Sequence, residues 1–319
     1  MNYYNNTNNE SIEIKDIYKV IIENFKFITI STFVLTAIVA ALTLLLPNIY
    51  SSSATLSIND NKDSDISSII GSGSGLIGSL SNNFLPSLAS NNENAISVLL
   101  SRDFFKILYD SDDFLIYLMA TKSYDPISQK TFIDQKQYDT SKKKWVRKVS
   151  HPYKIKPSLQ EAHRDFLEMF NVIEDDDNNV IIFSFEHKSA TFAESTLNEI
   201  IFEINKYIRN KKIDEAKKGI DYIEKKMAFE NISEIRDVLA NVMEADIQTL
   251  ALAEKSEEFI FKIVDSPFVP EKKLKPKRTI ICLAFAFLSA IFFSTLVLLL
   301  NSDNKRIVFN RLIPEIKSK

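Results

Sequence analysis

Phe27-Ile-Thr-Ile-Ser-Thr-Phe-Val-Leu-Thr-Ala-Ile-Val-Ala-Ala-Leu-Thr-Leu-Leu-Leu46 and Thr279-Ile-Ile-Cys-Leu-Ala-Phe-Ala-Phe-Leu-Ser-Ala-Ile-Phe-Phe-Ser-Thr-Leu-Val-Leu-Leu-Leu300 decide how this chain is read. Neither stretch contains a charge, over 20 and 22 residues respectively. At the helical rise they reach about 30 Å and about 33 Å, the thickness of a bilayer's hydrocarbon core. The second run holds 14 residues drawn from Leu, Ile, Phe and Val. These favour insertion by an upper bound of about 4–8 kcal/mol. The first holds 12 such residues and five Ser/Thr, whose hydroxyls bond back to helix carbonyls and so do not prevent insertion. The alternatives are a cleaved leader for the first run and a buried core helix for the second. A leader's apolar region is shorter and ends at a small-x-small site, whereas this run follows a 26-residue polar head and ends in Leu44-Leu45-Leu46-Pro47. Two membrane spans are expected.

Working outward, the chain divides into an N-terminal segment 1–26, a first span 27–46, a central region 47–278, a second span 279–300 and a tail 301–319. Two spans put both termini on one side and the central region on the other. Lys15, Lys19 and Lys26 precede the first span, and Lys305, Arg306, Arg311, Lys317 and Lys319 follow the second. This favours cytoplasmic termini. Lys272, Lys273, Lys275, Lys277 and Arg278 stand on the other side of the second span. Long segments, however, translocate largely regardless of charge. The central region is therefore expected outside the membrane that anchors it.

The net charge of −3 speaks against nucleic acid as a partner, which calls for a dominant basic face. A single cysteine, Cys282, excludes an intrachain disulfide and a multi-cysteine metal site. Four of the five glycines lie in residues 71–78. There Gly73-Ser-Gly75-Leu-Ile-Gly78 matches a dinucleotide fingerprint but lacks the preceding strand that such a site requires, and it reads as a loop within a Ser/Asn-rich stretch, 59–93. No phosphate-binding P-loop occurs. His151, His163 and His187 have no metal-type spacing, and Glu174-Asp175-Asp176-Asp177 lacks the spacing of a calcium loop. No nucleophile elbow is present. No catalytic residue, cofactor or metal is expected, and the chain reads as a non-enzyme.

Local patterns give a mixed α and β central region. The first nine residues, with five Asn, read as lacking structure, and 12–25 as an amphipathic helix leading into the first span. Tyr50–Ile58 alternates like a strand. A helix of about four turns is expected over 94–109, irregular polar chain over 110–157, and a helix starting at Ser158, where Ser158-Leu-Gln-Glu161 forms a capping box. Val180–Phe185 is the clearest strand and 259–264 another. Between these strands a long helical region is expected over about 189–255, beginning near Ser189 or Thr191. Its apolar positions Leu197, Ile200, Ile204, Ile208, Ile220 and Ile223 fall on one face, with a register slip at Asn210–Lys212. This is the pattern of a seam against a partner or another helix. The three distant strands are expected to join in one sheet beside the membrane.

Two surface features carry chemistry. Lys142-Lys-Lys-Trp145-Val-Arg147-Lys148 sets basic groups around an indole. Lys144, Trp145 and Arg147 read as contacts for a lipid phosphate or a sugar ring, against the plainer reading that Trp145 packs while the lysines stay wet. The proline-spaced segment with Pro267, Pro270 and Pro276 is expected to be extended and stiff, with its lysines reaching membrane lipid. In the second span Ala286, Ala290 and Ser294 form a small-xxx-small face, and Ala37 and Ala41 of the first span are expected to oppose it.

The chain resembles the Wzz-type O-antigen chain-length determinants, the class 1 polysaccharide co-polymerases. The likeness lies in Ile14-Lys-Asp-Ile-Tyr18, Pro47-Asn-Ile-Tyr50 with Ala54-Thr-Leu56, Lys144-Trp145-Val146-Arg147, Pro157–Ala162, and the segment from Val264 to Arg278. The family's second span often carries glycine, and this one has none. The resemblance implies a periplasmic α/β base with a long helical protrusion, an α+β membrane protein. It further implies a ring-like homo-oligomer, commonly an octamer, in the bacterial inner membrane. Its expected role is to set the modal length of lipid-linked polysaccharide made by a Wzy-type polymerase. An adaptor for capsule or exopolysaccharide export shares the architecture. So does a two-span sensor, but only 19 residues follow the second span, too few for an output domain.

Overall fold

The computed structural model describes residues 14–58, 91–175, 177–178, 180–230 and 232–301. The glycine-rich stretch at 71–78, the Asn-rich start and the basic tail lie outside these residues. In chain order the elements are α1 (Ile14–Glu23), α2 (Phe25–Leu45), β1 (Tyr50–Ile58), α3 (Asn91–Leu99), α4 (Arg102–Tyr109), α5 (Asp112–Ala120), β2 (Thr121–Asp125), β3 (Lys130–Ile133), β4 (Tyr138–Asp139), β5 (Lys144–Trp145), α6 (Leu159–Met169), β6 (Phe170–Asp175), β7 (Val180–His187), α7 (Ala190–Phe229), α8 (Ser233–Lys255), β8 (Phe261–Asp265) and α9 (Arg278–Asn301). They form two compact units, one from the two ends of the chain and one from residues 48–274.

In the first unit α2 and α9 are the two expected spans, and they pack on each other. Most of their large apolar side chains face outward, Phe33 at 73% exposure and Phe287 at 69% among them. A core helix of a water-soluble protein would bury these groups, so the pair anchors the protein in a membrane. Phe27 meets Phe293 edge-on at 6.4 Å. Hydroxyls on both helices bond back to their own carbonyls, as Thr36 Oγ1 does to Thr32 (2.7 Å) and Ser294 Oγ to Ala290 (2.7 Å). Ala286, Ala290 and Ser294 are half-buried beside the buried Ser289. Ala37 and Ala41, expected opposite, are exposed instead. The packed face of α2 runs through Ile28, Thr32, Thr36, Ala40 and Thr43. Ala37 and Ala41 each lie one residue, about 100° of turn, beyond it.

The second unit is built on an antiparallel sheet in the order β6-β7-β1-β8. β1 pairs with β7 from Tyr50↔His187 to Ser57↔Val180, and with β8 through Leu56↔Ile263. The alternation read from the sequence is real: Ser52, Ala54 and Leu56 of β1 and Ile181, Phe183, Phe185 and His187 of β7 are buried. Phe104, Phe105, Phe166 and Phe261 complete an aromatic core between the sheet and the helices.

Several local expectations need correction. The helix expected over 94–109 is broken into α3 and α4, because Ser101 caps a new start by accepting the Phe104 N–H (3.2 Å). Residues 110–157 are not irregular but hold α5, capped by Ser111, and the hairpins β2–β3 and β4–β5. β6 follows α6 directly, with no turn residue between them to announce it. The cap of α7 is Ser189 rather than Thr191, its Oγ accepting the Phe192 N–H (3.2 Å).

α7 is one helix of 40 residues, about 60 Å long, and it packs against two different partners. Leu197, Ile200, Ile204 and Ile208 are buried in the protomer's own core. They were expected on a seam against a partner, but the sheet occupies that face. Beyond Asn210–Lys212, where the apolar register slips, Ala216, Ile220 and Ile223 turn to α8. The slip therefore marks the change from sheet contact to helix contact. Gly219 lies in this second part, and a Cβ there would collide with the Asp246 carboxylate. Close approach of the two helices, and not backbone freedom, accounts for glycine here.

Buried Asn205 fixes where α7 meets the returning chain. Its Oδ1 accepts the N–H groups of Ile260 and Phe261 (2.9 Å each), and its Nδ2 donates to the carbonyls of Ile201 and Phe261 (3.0 Å each). At the other end of β1, opposite Tyr50, His187 is buried in the sheet and held neutral, its pKa pulled down to about 3 by burial and secondarily by Lys188. Its Nδ1 accepts the Ser189 N–H (3.1 Å). Replacing Asn205 with Leu strands two buried N–H groups, each an unmet bond of about 1–3 kcal/mol. Together they cost about 2–6 kcal/mol, so the melting temperature of the full chain in detergent is expected to fall by at least about 4 °C. Asn198→Leu on the exposed face is expected to leave it unchanged.

Candidate functional site

The basic-aromatic block is displayed on the β4–β5 hairpin, in which Tyr138 pairs with Trp145 and Asp139 with Lys144. The turn between them is tied by Asp139, whose carboxylate accepts the N–H groups of Ser141 and Lys142 (3.0 Å each). Those bonds hold the Asp139 carboxyl below its usual pKa. With no glycine available, Lys143 takes the left-handed conformation at φ 50°. The Trp145 indole is half-buried against the core and meets the Tyr138 ring edge-on at 5.3 Å.

Arg147 was expected beside Trp145 as a ligand contact. The structure gives it a different role. Its Nη1 and Nη2 each reach one carboxylate oxygen of Glu161 at 2.6 Å, and its Nε donates to the carbonyls of Lys154 and Ile155 (3.1 and 2.9 Å). Both side chains are 9% exposed. With Nη2 also donating to the Lys154 carbonyl (2.6 Å), four of the five guanidinium N–H groups are taken within the protein, and the buried pair acts as an internal clamp rather than a ligand contact. The Arg147 bonds are the main cause that holds the Glu161 carboxyl below its usual pKa, opposed by burial and aided by the Ser158 N–H. That last contact completes the capping box, with the Ser158 Oγ accepting the Glu161 N–H (3.3 Å). Arg147 thus clamps the chain from 147 to 158 onto the first turn of α6.

With Arg147 removed, the site is a shallow groove of ≈ 410 Å³ lined by Tyr138, Lys143, Lys144, Trp145, Ile155 and Lys156, with Asp112 at its edge. Lys156 is not idle: its Nζ reaches Asp112 at 3.0 Å and lies over the Tyr109 ring. The groove offers an aromatic wall and two exposed ammonium groups, Lys143 and Lys144. That chemistry suits a sugar face beside an anionic group.

The proline segment is held by the start of β1. Pro267 and Pro270 are buried, Ser52 Oγ donates to the Phe268 carbonyl (2.8 Å), and Leu274 N–H donates to the Ile49 carbonyl (2.8 Å). Pro276 is half-buried in the first unit. Among the described residues no three His, Cys, Asp or Glu side chains cluster as a metal site. His163 and His187 are core groups rather than surface ones, the former with Nε2 3.0 Å from the Leu100 carbonyl. Asn205 and Glu161 were missed as organising residues. An Asn set among Ile201, Ile204 and Ile208 was the available signal for the first. Nothing local marked the second beyond its capping role.

Residues 10–111, about a third of the chain, match the family model described as Wzz, chain length determinant protein. A solved structure described as a full-length bacterial polysaccharide co-polymerase is similar at 12% identity and a TM-score of 0.37, covering 92% of this chain and 100% of its own. No curated protein matches. The resemblance read from the sequence is borne out by the match over the N-terminal third, which includes α1, the first span, β1 and the helices up to α4.

Arg147→Ala leaves the Glu161 carboxylate buried without its partner, a loss of about 3–5 kcal/mol. Arg147→Met with Glu161→Leu is expected to recover most of that stability. Thermal unfolding of the two variants, followed by Trp145 fluorescence, checks the contrast.

Proposed function

We propose that this chain is a non-catalytic regulator that sets the modal length of a lipid-linked surface polysaccharide, O antigen, in concert with a Wzy-type polymerase. The observation that carries the reading is the Wzz match over residues 10–111, running through the first of two membrane-spanning helices. Regulation of polysaccharide chain length follows from that family. The O-antigen product and the polymerase partner are the further step proposed here.

In this reading the protein sits in the bacterial inner membrane with both termini cytoplasmic and residues 47–278 periplasmic, supported by the lysines and arginines at the two ends of the chain. It works as a ring-like homo-oligomer of eight subunits, the number that the family resemblance implies. The chain contributes geometry instead of bond-making. The anchored body presents the groove at Trp145, Lys143 and Lys144 to the growing polymer, whose sugars stack on the indole while the ammonium groups meet its anionic lipid carrier.

Deleting the gene is expected to replace a clustered ladder on a lipopolysaccharide gel with an unclustered one, and complementation to restore the cluster. Trp145→Ala is expected to move the cluster without lowering the melting temperature by more than about 4 °C. Complete loss of surface polymer on deletion would contradict length control and favour the export reading. An unmoved cluster would remove Trp145 from the site.

A further inference from the structure

α8 is held on one side only. Leu239, Met243, Asp246, Leu250 and Ala253 make its side toward α7, its main partner among the described residues, and Ala253 alone is buried. A second stripe runs beside the first through Ile235, Val238, Val242, Ala245, Thr249 and Leu252. These positions alternate three and four apart, the spacing of a helical seam, and carry no charge over about 26 Å. Ile235, Val238, Val242 and Leu252 are nevertheless 41–50% exposed. Single exposed apolar residues need no explanation, but a row of them at seam spacing marks an interaction face.

Charge identifies what covers that face. α8 carries five acidic and two basic residues, whereas α7 from Arg209 to Phe229 carries seven basic and four acidic ones. The side of α7 turned away from α8 displays Lys211, Lys218, Tyr222 and Phe229, the two rings 59% and 85% exposed. Lys226 lies over the Tyr222 ring at 5.6 Å, and Glu215 is spent on Lys212 (3.0 Å). On α8, Asp246 borders the exposed stripe between Val242 and Thr249. Burial raises its carboxyl pKa, and among the described residues no cation pairs with it.

An apolar stripe on an acidic helix and exposed rings on a basic one are complementary surfaces of a single chain. One protomer cannot join them, because its α7 and α8 already meet along other sides. A second copy can. Copies anchored in one membrane present the two helices at the same height. Gly219 meets Asp246 across the antiparallel pair, so Tyr222, about one turn further along α7, stands level with Val242, about one turn back along α8.

We propose that the exposed stripe of α8 docks on the basic, aromatic side of α7 in a second copy of this chain, with Val242 of one copy beside Tyr222 of the other. The inference rests on the homo-oligomer reading above and gives that oligomer a contact surface. It also relocates the seam expected on α7: Leu197 to Ile208 serve the protomer's own core, and the apolar stripe left for another copy lies on α8.

The test uses two full-length variants, Val242→Cys and Tyr222→Cys, each also carrying Cys282→Ser and its own tag. They are co-expressed and treated in membranes with a short bis-maleimide. A cross-linked pair bearing both tags is expected. Its absence would overturn the proposal: Val242→Cys linked only to itself would assign the stripe to α8 of the second copy, and a shielded thiol without any adduct to another segment of the same chain. Val238→Lys with Val242→Lys sets like charge against α7. This variant is expected to lose the wild-type assembly mass in nanodiscs and to keep its melting temperature, because both positions are exposed. An unchanged mass would overturn this surface while leaving the oligomer standing. A wild-type chain with the mass of one subunit would instead sink the oligomer reading itself.

Discussion

β1 and β8 come from opposite ends of the central region, yet they lie hydrogen-bonded side by side. Each is the sheet strand next in sequence to a membrane-spanning helix, β1 following the first and β8 preceding the second. Their pairing closes the chain into a loop, so a folded body of more than 200 residues starts and finishes at one place. The helices α2 and α9 also pack on each other. A long loop costs little more to close than a short one, because the entropy grows only with the logarithm of length. The body between can therefore be large without penalising closure. The Ser52–Phe268 and Ile49–Leu274 bonds repeat the closure outside the sheet.

From that closed base the rest of the body is organised by two polar anchors set in apolar surroundings. Asn205 ties the middle of α7 to the first residues of β8, so the long helix leaves the sheet at a defined point and continues against α8. Arg147 ties the chain after the Trp145 hairpin to α6. Each anchor satisfies several backbone groups in a space where an unmet one is costly. The groove at Trp145 depends on the second anchor, since its far wall, Ile155 and Lys156, belongs to the clamped segment.

What was legible in the sequence was what a local period can encode. The two spans, the strands at 50–58 and 180–187, the 40-residue helix and the Ser158 cap all appear close to their expected bounds. Short elements were not legible. α5, β6 and the two hairpins have too few residues to show a period, and their form comes from contacts with the core. The seam on α7 was visible as a stripe, but a stripe does not name its partner. Leu197 to Ile208 meet the protomer's sheet, and Ile220 and Ile223 meet α8. Arg147 looked like a ligand group for the same reason: the carboxylate that occupies it lies fourteen residues away and could be recognised only in the folded chain.

The most direct test of the account is the side of the membrane on which this closed body lies. Alkaline phosphatase fused near residue 150 is predicted to be active in cells, and a green fluorescent reporter at the same point dark, because the proposed topology puts the body outside the inner membrane. A dark phosphatase and a bright reporter would put the body in the cytoplasm, away from polysaccharide polymerisation, and would contradict the account.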